Sequence, residues 1–570
     1  MQNADIARTL NRLANMLDIE GANAFRVRAY RSAAQTIESH PRALQEMVAL
    51  DEPLTELAGI GQDLAKKITE LINTGRLTVL EEAEKRLPPG LLQLMRVSQL
   101  GPRRVRQLHE ALGIDNLEAL KKAALEGRIR ALEGFGEKTE AGILKEAERL
   151  DDAPPRTRLD EAHQAADDLI AWLEHARGAQ RISAAGSLRR GRETVGDLDI
   201  LVSSEDGPTI MTHLMDYPEI AEVVSHGKTK STLRLHSGLQ VDVRVVADES
   251  FGAALYYFTG SQAHNIATRK MATDRGLKIN EYGIYKGRQR LAGRTEEEVL
   301  ARIDLAWIPP ELRENSGELE AALEGTLPEL VTLDDIRGDL HMHTTASDGK
   351  AGLEDMVHAA RRRGYRYIAI TDHSQRLAMA NGLDARRLRE QMAEIDALNE
   401  RLKNFTVLKG NEVDILEDGS LDLPDDVLKE LDVCVFSVHS KFNLSREQQT
   451  ARILRAMDNP HVNILAHPTG RIINGREGHE VDIEAVLRGA KERGIFLEIN
   501  AQPARLDLAD RWARMARDIG VMLAISTDAH ATDQLGHMAL GVTQARRGWL
   551  ERKDVLNTRT VTQLRKLMRR

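Results

Sequence analysis

The C-terminal part of the chain repeats one pattern, a short apolar run that ends in histidine or a carboxylate and is followed by a helical stretch. The runs are DLHMHT, YIAITDH, TVLKGNE, VCVFSVH, VNILAHP, IFLEINA and VMLAISTDAH, all after Ile336. Strand-like runs that alternate with helices are typical of parallel β/α units. The number of consecutive units predicts a closed or distorted barrel, with its polar groups at the carboxyl ends of the strands.

The polar residues at the ends of these runs form a candidate metal site. His341 and His343 are two positions apart, so on a strand both side chains point to the same face. Imidazole and carboxylate ligands without thiolates suit catalytic Zn²⁺, Mn²⁺ or iron, and closely spaced metals suit phosphoester hydrolysis. The candidate ligands are His341, His343, Asp348, His373, Glu412, His439, His467, Asp528 and His530.

A second candidate site lies in GSLRRGRETVGDLDI. Asp197 and Asp199 share one face of a predicted strand, and Asp242 lies on the polar face of the later strand LQVDVRVV. Three carboxylates on neighbouring strands can hold two Mg²⁺ or Mn²⁺ ions, which suits the transfer of a nucleotide to a 3′-hydroxyl. Backbone and side-chain donors for the nucleotide phosphates are expected at Gly186, Ser187, Arg190 and Gly196.

From Met1 to about Leu150 the sequence predicts short amphipathic helices separated by glycine. LAGIGQDLAKKI fits a helix-hairpin-helix, whose glycine turn offers backbone N–H groups to phosphate without reading the base sequence. QLGPRRVRQLH and LEGFGEKTEAGIL resemble further copies of this motif. The candidate DNA-binding glycines are Gly59, Gly61, Gly101, Gly134 and Gly136.

Lys67 is a candidate nucleophile for a Schiff base with an abasic-site aldehyde. Its neighbours Leu64 and Leu71 place it at the border of the apolar helix face. Partial burial is expected to lower the pKa of the Lys67 amine and so to favour its free form. The alternative is an ordinary surface lysine.

Composition restricts the remaining possibilities. The net charge of −9 argues weakly against nucleic acid, although backbone amides carry much of the binding in hairpin motifs. The single cysteine, Cys434, excludes intrachain disulfides and thiolate zinc sites. No apolar run is long enough to cross a membrane, so we expect a cytoplasmic protein that does not bind membranes.

The middle of the chain resembles the nucleotidyltransferases and, more narrowly, the family X DNA polymerases. The narrower resemblance rests on YFTGSQAHN, followed by Arg269 and INEY. It implies that Tyr257 and Phe258 lie beside the incoming sugar in the YFTG turn, which includes Gly260. It also implies that Asn265 reaches the minor-groove edge of the nucleotide and that Arg269 supports the templating base. Gln240 departs from an arginine of the animal enzyme.

The same resemblance extends to the helical N-terminal region. It implies that Lys67 is the lyase nucleophile and that Arg26 and Tyr30 form a pocket for a 5′-phosphate. Asp63 stands where the family has a phosphate-binding lysine, which weakens this prediction.

From about Arg337 onward the chain resembles the polymerase and histidinol phosphatase (PHP) family, through HMH, TDH, Glu412, SVH, AHP and TDAH. The resemblance implies three Zn²⁺ or Mn²⁺ ions. The first would be held by His341, His343, Asp528 and a bridging Glu412, the second by Asp348, His373 and His467, and the third by Glu412, His439 and His530. Arg471, in HPTGR, is a candidate phosphate clamp.

We therefore predict a multidomain fold with an all-α helix-hairpin-helix N-terminal region, an α+β nucleotidyltransferase palm and thumb, and a C-terminal distorted (β/α)7 TIM-like barrel. The predicted domains are a helical lyase-like domain 1–88, helical fingers 89–152, a palm 153–247, a thumb 248–317, a linker 318–336 that leaves the geometry of the two sites open, and a PHP domain 337–570.

The expected function is a monomeric DNA repair polymerase that acts on gapped or nicked double-stranded DNA with dNTPs, in base-excision or end-joining repair. The barrel would act as a 3′-5′ exonuclease, a 3′-phosphatase or an abasic endonuclease. One rival is a nucleotidyltransferase for a small molecule, RNA or protein. A second rival is a barrel that serves only as a metal-stabilised scaffold.

Overall fold

The computed structural model describes residues 3–40, 44–88, 90–95, 97, 100–151 and 156–569. The chain forms two compact units, Met1–Pro155 and Arg156–Arg570. The domain boundaries predicted at 88/89 and 152/153, together with Gln99, lie at or outside the limits of the described residues. Within those residues no helix is both long and apolar enough to span a membrane.

The first unit is helical wherever it is described. Gly61, Gly101 and Gly136 each stand directly before a helix. Its apolar side chains form two buried clusters, one around the first two helices and one around the later hairpins. The helices are α1 Asn3–Glu20, α2 Ala24–Ser39, α3 Leu44–Ala49, α4 Gln62–Thr74, α5 Thr78–Arg86, α6 Leu91–Leu94, α7 Pro102–Leu112, α8 Leu117–Leu125 and α9 Glu137–Asp151, with 3-10 turns at Leu54–Glu56 and Ile129–Ala131.

The second unit begins with a mixed sheet that carries the aspartates. Alternating apolar side chains of its central strands, such as Val241 and Val243, fill the core below the sheet. The strand order is β2-β4-β7-β6-β5, with β4 and β7 parallel and the other pairs antiparallel. The elements are β1 Thr157–Arg158, α10 Leu159–Glu174, β2 Arg181–Ala184, α11 Gly186–Arg189, β3 Thr194–Val195, β4 Asp197–Ser203, α12 Gly207–Met215, β5 Ile220–His226, β6 Lys230–Leu235 and β7 Gln240–Val246.

The described thumb residues form three helices and a small antiparallel sheet, of order β10-β9-β8. Residues predicted to be a linker are largely structured, because they form α16 and a 3-10 turn. The elements are a 3-10 turn Asp248–Ser250, α13 Phe251–Thr259, α14 Gln262–Asp274, β8 Lys278–Asn280, β9 Gly283–Lys286, β10 Gln289–Ala292, α15 Glu296–Ala301, a 3-10 turn Pro310–Leu312, α16 Glu318–Glu324 and a 3-10 turn Leu333–Asp335.

The predicted (β/α)7 barrel is confirmed in the described residues, where seven parallel strands follow one another in chain order. A further parallel bridge between Met342 and Ala529 brings the first strand beside the last. The strands are β11 Gly338–Asp339, β12 Tyr367–Ile370, β13 Thr406–Asp414, β14 Val433–Ser437, β15 Ile464–Leu465, β16 Phe496–Asn500 and β17 Leu523–Ser526.

Helices cover the outside of the barrel and close its core. They are α17 Leu353–Arg362, α18 Ala385–Arg401, α19 Asp425–Leu428, α20 Arg446–Met457, α21 Ile483–Arg493, α22 Asp510–Ile519, α23 Met538–Arg547 and α24 Val561–Met568. Short 3-10 turns lie at Ala378–Ala380, Gln534–His537, Arg552–Asp554 and Leu556–Thr558.

Barrel side chains complete the cores of the palm and the thumb. Leu506 is fully buried in the palm core, and Ile473 and Leu540 pack against it. Trp549 belongs to the thumb core in the same way. The sequence left the geometry of the two sites open, and in the structure apolar packing fixes the barrel against the palm and thumb.

Candidate active sites in the palm and the barrel

The three palm aspartates lie on two adjacent parallel strands. Asp199 of β4 and Asp242 of β7 are register partners, and Asp197 stands two residues before Asp199 on the same face. From β6, the Thr232 hydroxyl donates to Asp242 Oδ1 at 2.6 Å. The sheet therefore gathers all three carboxylates at one edge.

This carboxylate cluster is electrostatically poised for cations. Burial, with the charges of Asp197 and Asp242, raises the pKa of Asp199 to about 7, and burial likewise raises the pKa of Asp197. Lys230 Nζ lies 3.3 Å from Asp242 Oδ2 and compensates the charge of that carboxylate. The negative charges of Asp197 and Asp199 are compensated only in part. A buried group of carboxylates with this excess of negative charge fits divalent metal. Among the described residues these aspartates do not form a ligand cluster as tight as those in the barrel.

The phosphate loop, Gly186–Arg190, approaches these aspartates through its backbone. Gly186 has φ +63, and a Cβ atom at this position would lie 2.5 Å from Asp199 Oδ2, so only glycine fits. The Arg190 guanidinium points elsewhere, with its Nε donating to Glu314 Oε1 at 3.1 Å and its Nη1 donating to the Thr259 carbonyl. The predicted phosphate contact of Arg190 therefore requires it to leave these partners.

The thumb residues of YFTGSQAHN lie together where α13 ends and α14 begins. The rings of Tyr257 and Phe258 meet edge to face at 5.1 Å, and Asn265 Nδ2 donates to the Tyr257 carbonyl at 2.7 Å. The guanidinium carbon of Arg269 lies 6.0 Å from the Tyr257 ring. Asn265 Oδ1 is buried without a hydrogen-bond partner, which leaves an acceptor for another molecule.

Two further glycines of the nucleotide prediction flank this region. Gly260 ends α13 with φ +69, and a Cβ there would lie 3.2 Å from Arg190 Nη1. Gly196 directly precedes Asp197, and a Cβ there would lie 3.0 Å from Arg156 Nη1. Both positions bring backbone close to a guanidinium.

In the N-terminal unit the predicted hairpin glycines face open space. Apart from the adjoining backbone, no atom of the described residues lies within 4 Å of a Cβ built on Gly61, Gly101, Gly134 or Gly136, whereas at Gly59 the Ser32 hydroxyl is 3.0 Å away. Backbone N–H groups before a helix can therefore be reached from outside at these positions.

Lys67 lies in the predicted place, but its electrostatics differ from the expectation. Its side chain is 15% exposed, and its ammonium lies 5.6 Å from the Tyr30 ring and pairs with Asp63. Burial lowers the pKa of Lys67, but the bond to Asp63 and the proximity of Tyr30 outweigh it and the net shift is upward. The predicted lowering is therefore wrong, because the sequence pattern did not count the carboxylate one helical turn away. Arg26 is exposed on α2, one turn before the buried Tyr30.

In the barrel, the Glu412 carboxylate is the centre of the predicted ligand set. Glu412 follows the middle of β13, and its oxygens lie between 2.9 and 3.7 Å from the imidazole nitrogens of His341, His343, His373, His439 and His467. Three groups have ligand atoms within 4.8 Å of one another: His343, Asp348, His373 and His530; His341, His343 and Asp528; and His373, Glu412 and His439.

His467 and His530 differ from the division of ligands that the resemblance implied, in which His467 belonged to the second ion and His530 to the third. His530 Nε2 lies 3.5 Å from Asp348 Oδ1, whereas His467 Nε2 lies 2.9 Å from Glu412 Oε1. The barrel order explains this difference. His530 follows β17, which closes against β11 beside the Asp348 loop, and His467 follows β15, the neighbour of the strand that carries His439.

The barrel cluster fits several bound cations. Although burial alone would raise it, the pKa of Glu412 is held well below its usual range by His439, His373 and His341. His343 Nδ1 and Glu412 Oε2 are buried without a hydrogen bond, as expected of ligand atoms. His467 and Asp528 have φ +28 and +50, a left-handed backbone that is strained for these residues and recurs at functional sites.

Carboxylates behind the ligands were not predicted from the sequence. His341 Nδ1 donates to Glu498 Oε1 at 2.7 Å, and His439 Nδ1 donates to Asp414 Oδ1 at 3.1 Å. Such partners fix the imidazole and leave Nε2 for a metal. The available signal was an acidic residue inside an otherwise apolar strand, as in IFLEINA. Other buried acids in such positions are Asp339, Asp372 and Asp507.

Arg471 is engaged inside the protein. Its Nη2 binds Glu193 Oε2 of the palm at 2.7 Å, and its Nε donates to the Arg505 carbonyl at 2.9 Å. The predicted phosphate contact of Arg471 therefore requires the guanidinium to leave partners that join the barrel to the palm.

Comparison with protein families assigns known modules to most of the chain. A helix-hairpin-helix domain matches residues 1–77, and a SAM-like helix-hairpin-helix tandem matches residues 91–149. The DNA polymerase beta thumb matches residues 254–314, and the PHP domain matches residues 339–502.

Curated relatives cover the whole chain or the barrel alone. The chain is 40% identical to the DNA polymerase/3'-5' exonuclease PolX of Bacillus subtilis (strain 168), over 100% of both chains. A "Probable phosphatase" of Thermoanaerobacter sp. (strain X514) is 31% identical over 39% of this chain and 89% of its own length. A further "Probable phosphatase", of Acetivibrio thermocellus, is 29% identical over 35% of this chain and 81% of its own.

Proposed function

The chain belongs to the family X DNA polymerases that carry a C-terminal PHP domain, and from this premise we propose the residues and the DNA substrates of its two activities. It is a DNA repair polymerase with a PHP-domain nuclease activity, and helix-hairpin-helix motifs contact its DNA. We place it on gapped or nicked double-stranded DNA, as a monomer in the cytoplasm, in base-excision or end-joining repair.

The polymerase activity is assigned to Asp197, Asp199 and Asp242. The observation that carries this assignment is the pairing of Asp199 with Asp242 on parallel strands, directly beside the Gly186 backbone. Two Mg²⁺ or Mn²⁺ ions held by these carboxylates would supply a nucleophilic 3′-oxygen and neutralise triphosphate charge. The chain's own part is to position them and to select the dNTP through Tyr257, Phe258, Asn265 and Arg269.

The nuclease activity is assigned to the barrel cluster around Glu412. We propose three Zn²⁺ or Mn²⁺ ions, held by His341, His343, Glu412 and Asp528; by Asp348, His373 and His530; and by Glu412, His439 and His467. Such ions supply a hydroxide near neutral pH and stabilise the developing charge on phosphate. The close groups His341, His343 and Asp528 and Asp348, His373 and His530 support the first two sets. For the third set, His467 Nε2 and His439 Nε2 lie 2.9 and 3.3 Å from the same oxygen, Glu412 Oε1.

The two activities should separate in one pair of variants. Asp197→Ala is expected to stop primer extension on gapped DNA and to leave trimming of 3′ ends at the wild-type rate. Glu412→Gln is expected to do the reverse. Extension by Asp197→Ala at the wild-type rate would refute the palm assignment, and undiminished trimming by Glu412→Gln would support the scaffold alternative.

The preferred barrel substrate is decided by a matched comparison. We propose that the barrel acts on 3′ nucleotides, because the full-length relative is named as a 3'-5' exonuclease. DNA ending in a 3′-hydroxyl, DNA ending in a 3′-phosphate and DNA with an internal abasic site should be incubated with Mn²⁺ or Zn²⁺. Faster action on the phosphate or on the abasic site would overturn this choice.

A further inference from the structure

Arg547, the last residue of barrel helix α23, reaches out of the barrel to the polymerase. Its side chain is 3% exposed, and its Nη1 donates to the carbonyl of Arg190 at 2.7 Å. The same Nη1 lies 3.2 Å from Glu314 Oε1 of the thumb, and Nη2 binds Asp510 Oδ2 of the barrel at 2.6 Å. One buried guanidinium thus touches palm, thumb and barrel.

Glu314 is shared between this arginine and the one in the phosphate loop. Arg190 Nε donates to the same oxygen, Glu314 Oε1, at 3.1 Å, and Arg192 Nη1 lies 3.9 Å from it. The Arg190 side chain is 14% exposed, so this pair is largely shielded from water. The Glu314 carboxylate is half-buried, and because two guanidiniums hold it, one partner remains when the other moves away.

The helix that carries Arg547 packs directly on the phosphate loop. Gly191 has φ +64, and a Cβ there would lie 2.2 Å from Thr543 Cγ2 and 3.7 Å from Arg547 Cδ. Only a residue without a side chain allows this approach of backbone to helix. The contact therefore fixes the end of the loop against the barrel.

We propose that Arg547 of the barrel is a positioning residue of the polymerase site, which holds the phosphate loop and Glu314 while Arg190 turns to the triphosphate. This inference rests on the proposed polymerase function. When Arg190 leaves Glu314 for the nucleotide, Arg547 remains to compensate the half-buried carboxylate, so the exchange does not leave Glu314 without a close partner. Without Arg547, Arg190 is held more tightly by Glu314 and dNTP binding weakens.

The test compares Arg547→Ala with Arg546→Ala in the full-length protein. Arg546 is a matched control on the same helix, and its bonds in the described structure go to Glu311 Oε1 and the Val331 carbonyl. KM for dNTP and kcat are measured on gapped DNA with Mg²⁺, and 3′ trimming is measured on the same preparations.

Arg547→Ala is expected to raise KM for dNTP by about tenfold to about a hundredfold, because small displacements of a positioned group cost this much. Its trimming rate should match that of Arg546→Ala. Arg547→Lys, which keeps a positive charge, should restore part of the affinity. A loss of folded protein alone would lower kcat in proportion and leave KM unchanged, and that result would overturn the proposal.

A second measurement tests the path through Glu314. In Glu314→Gln the oxygen remains but the charge is gone, so Arg190 is released more easily and the added effect of Arg547→Ala should shrink. If the effects of Arg547→Ala and Glu314→Gln on KM for dNTP are additive, the proposed exchange of partners at Glu314 is overturned. If the wild-type protein incorporates no dNTP, the polymerase function fails together with this inference. If it does incorporate, and Arg547→Ala equals Arg546→Ala, only the inference fails.

Discussion

The carboxylate of Asp199 lies where burial and the like charges of Asp197 and Asp242 disfavour its ionised form. Its pKa of about 7 lies well above the ordinary 3.8. Bound cations would favour the ionised form near neutral pH, whereas without cations the ionised form costs stability as the pH rises toward 7.

Asp199→Asn is expected to stop nucleotide incorporation and to stabilise the metal-free protein. Because the folded pKa is raised, protonation favours folding below 3.8, and this contribution is lost as the pH rises through about 7. In EDTA the variant should melt a few degrees above wild type at about pH 8 and by less at about pH 5. An equal difference at both pH values would contradict the assignment. Added Mg²⁺ should narrow the gap at the higher pH.

Lys67 illustrates the opposite balance, in which a partner holds a buried amine charged. Because Asp63 raises the pKa of Lys67, Asp63→Asn is expected to increase the free amine at neutral pH. Borohydride trapping on DNA with a 5′-deoxyribose phosphate should therefore rise by about threefold or more. Lys67→Ala is the control and should abolish trapping. Equal trapping by Lys67→Ala and wild type would exclude Lys67 as the nucleophile.

At the scale of the elements, the two glycines of each N-terminal hairpin have different roles. Gly59 and Gly134 have φ +79 and +80, and the following Ile60 and Phe135 are buried anchors. The next glycine, Gly61 or Gly136, stands before a helix with open space where a side chain would project. The first glycine therefore shapes the turn, and the second leaves room for phosphate.

Two alanine substitutions should show this division of roles. Gly59→Ala forces a positive φ and is expected to destabilise the hairpin by about 1 kcal/mol, measured by hydrogen exchange of the α4 amides. Gly61→Ala should leave that exchange unchanged but weaken binding to gapped DNA by severalfold, measured by fluorescence anisotropy. The loss should not depend on base sequence. Unchanged affinity in Gly61→Ala would rule out this turn as a phosphate site.

At the scale of the whole molecule, the barrel and the polymerase share one packed unit. The loop between β15 and α21 carries His467 near its start and pairs with the palm through Arg471 and Glu193. Farther along, Asn474 Nδ2 donates to the Arg156 carbonyl at 2.6 Å. A metal-ligand candidate and two palm contacts thus lie on one loop.

Arg471→Ala is expected to lower both trimming and primer extension by about threefold to tenfold, because it loosens positioned groups at both sites. Glu193→Ala should have the same double effect, although Glu193 itself lies in the palm. Rates are measured for both reactions on each variant. A loss of trimming in Arg471→Ala alone, with Glu193→Ala unaffected, would support the phosphate-clamp interpretation.

The sequence by itself determined which residues stand at strand ends, at helix starts and on shared faces. The alternation of β7 places Asp242 beside the β4 aspartates, because side-chain direction follows from local periodicity. Predicted ligands lie on or just after every barrel strand except β16. The barrel itself was predictable from seven repeated β/α units, since parallel strands need such crossovers.

Only the tertiary structure decided which of these groups meet. His530 joins Asp348 because the last strand closes against the first, and Arg471 and Arg547 pair with palm and thumb residues more than two hundred positions away. Local periodicity fixes the face on which a side chain lies but carries no information about distant partners. Those partners, and the pKa shifts and positioning that they cause, depend on how the packed elements close around one another.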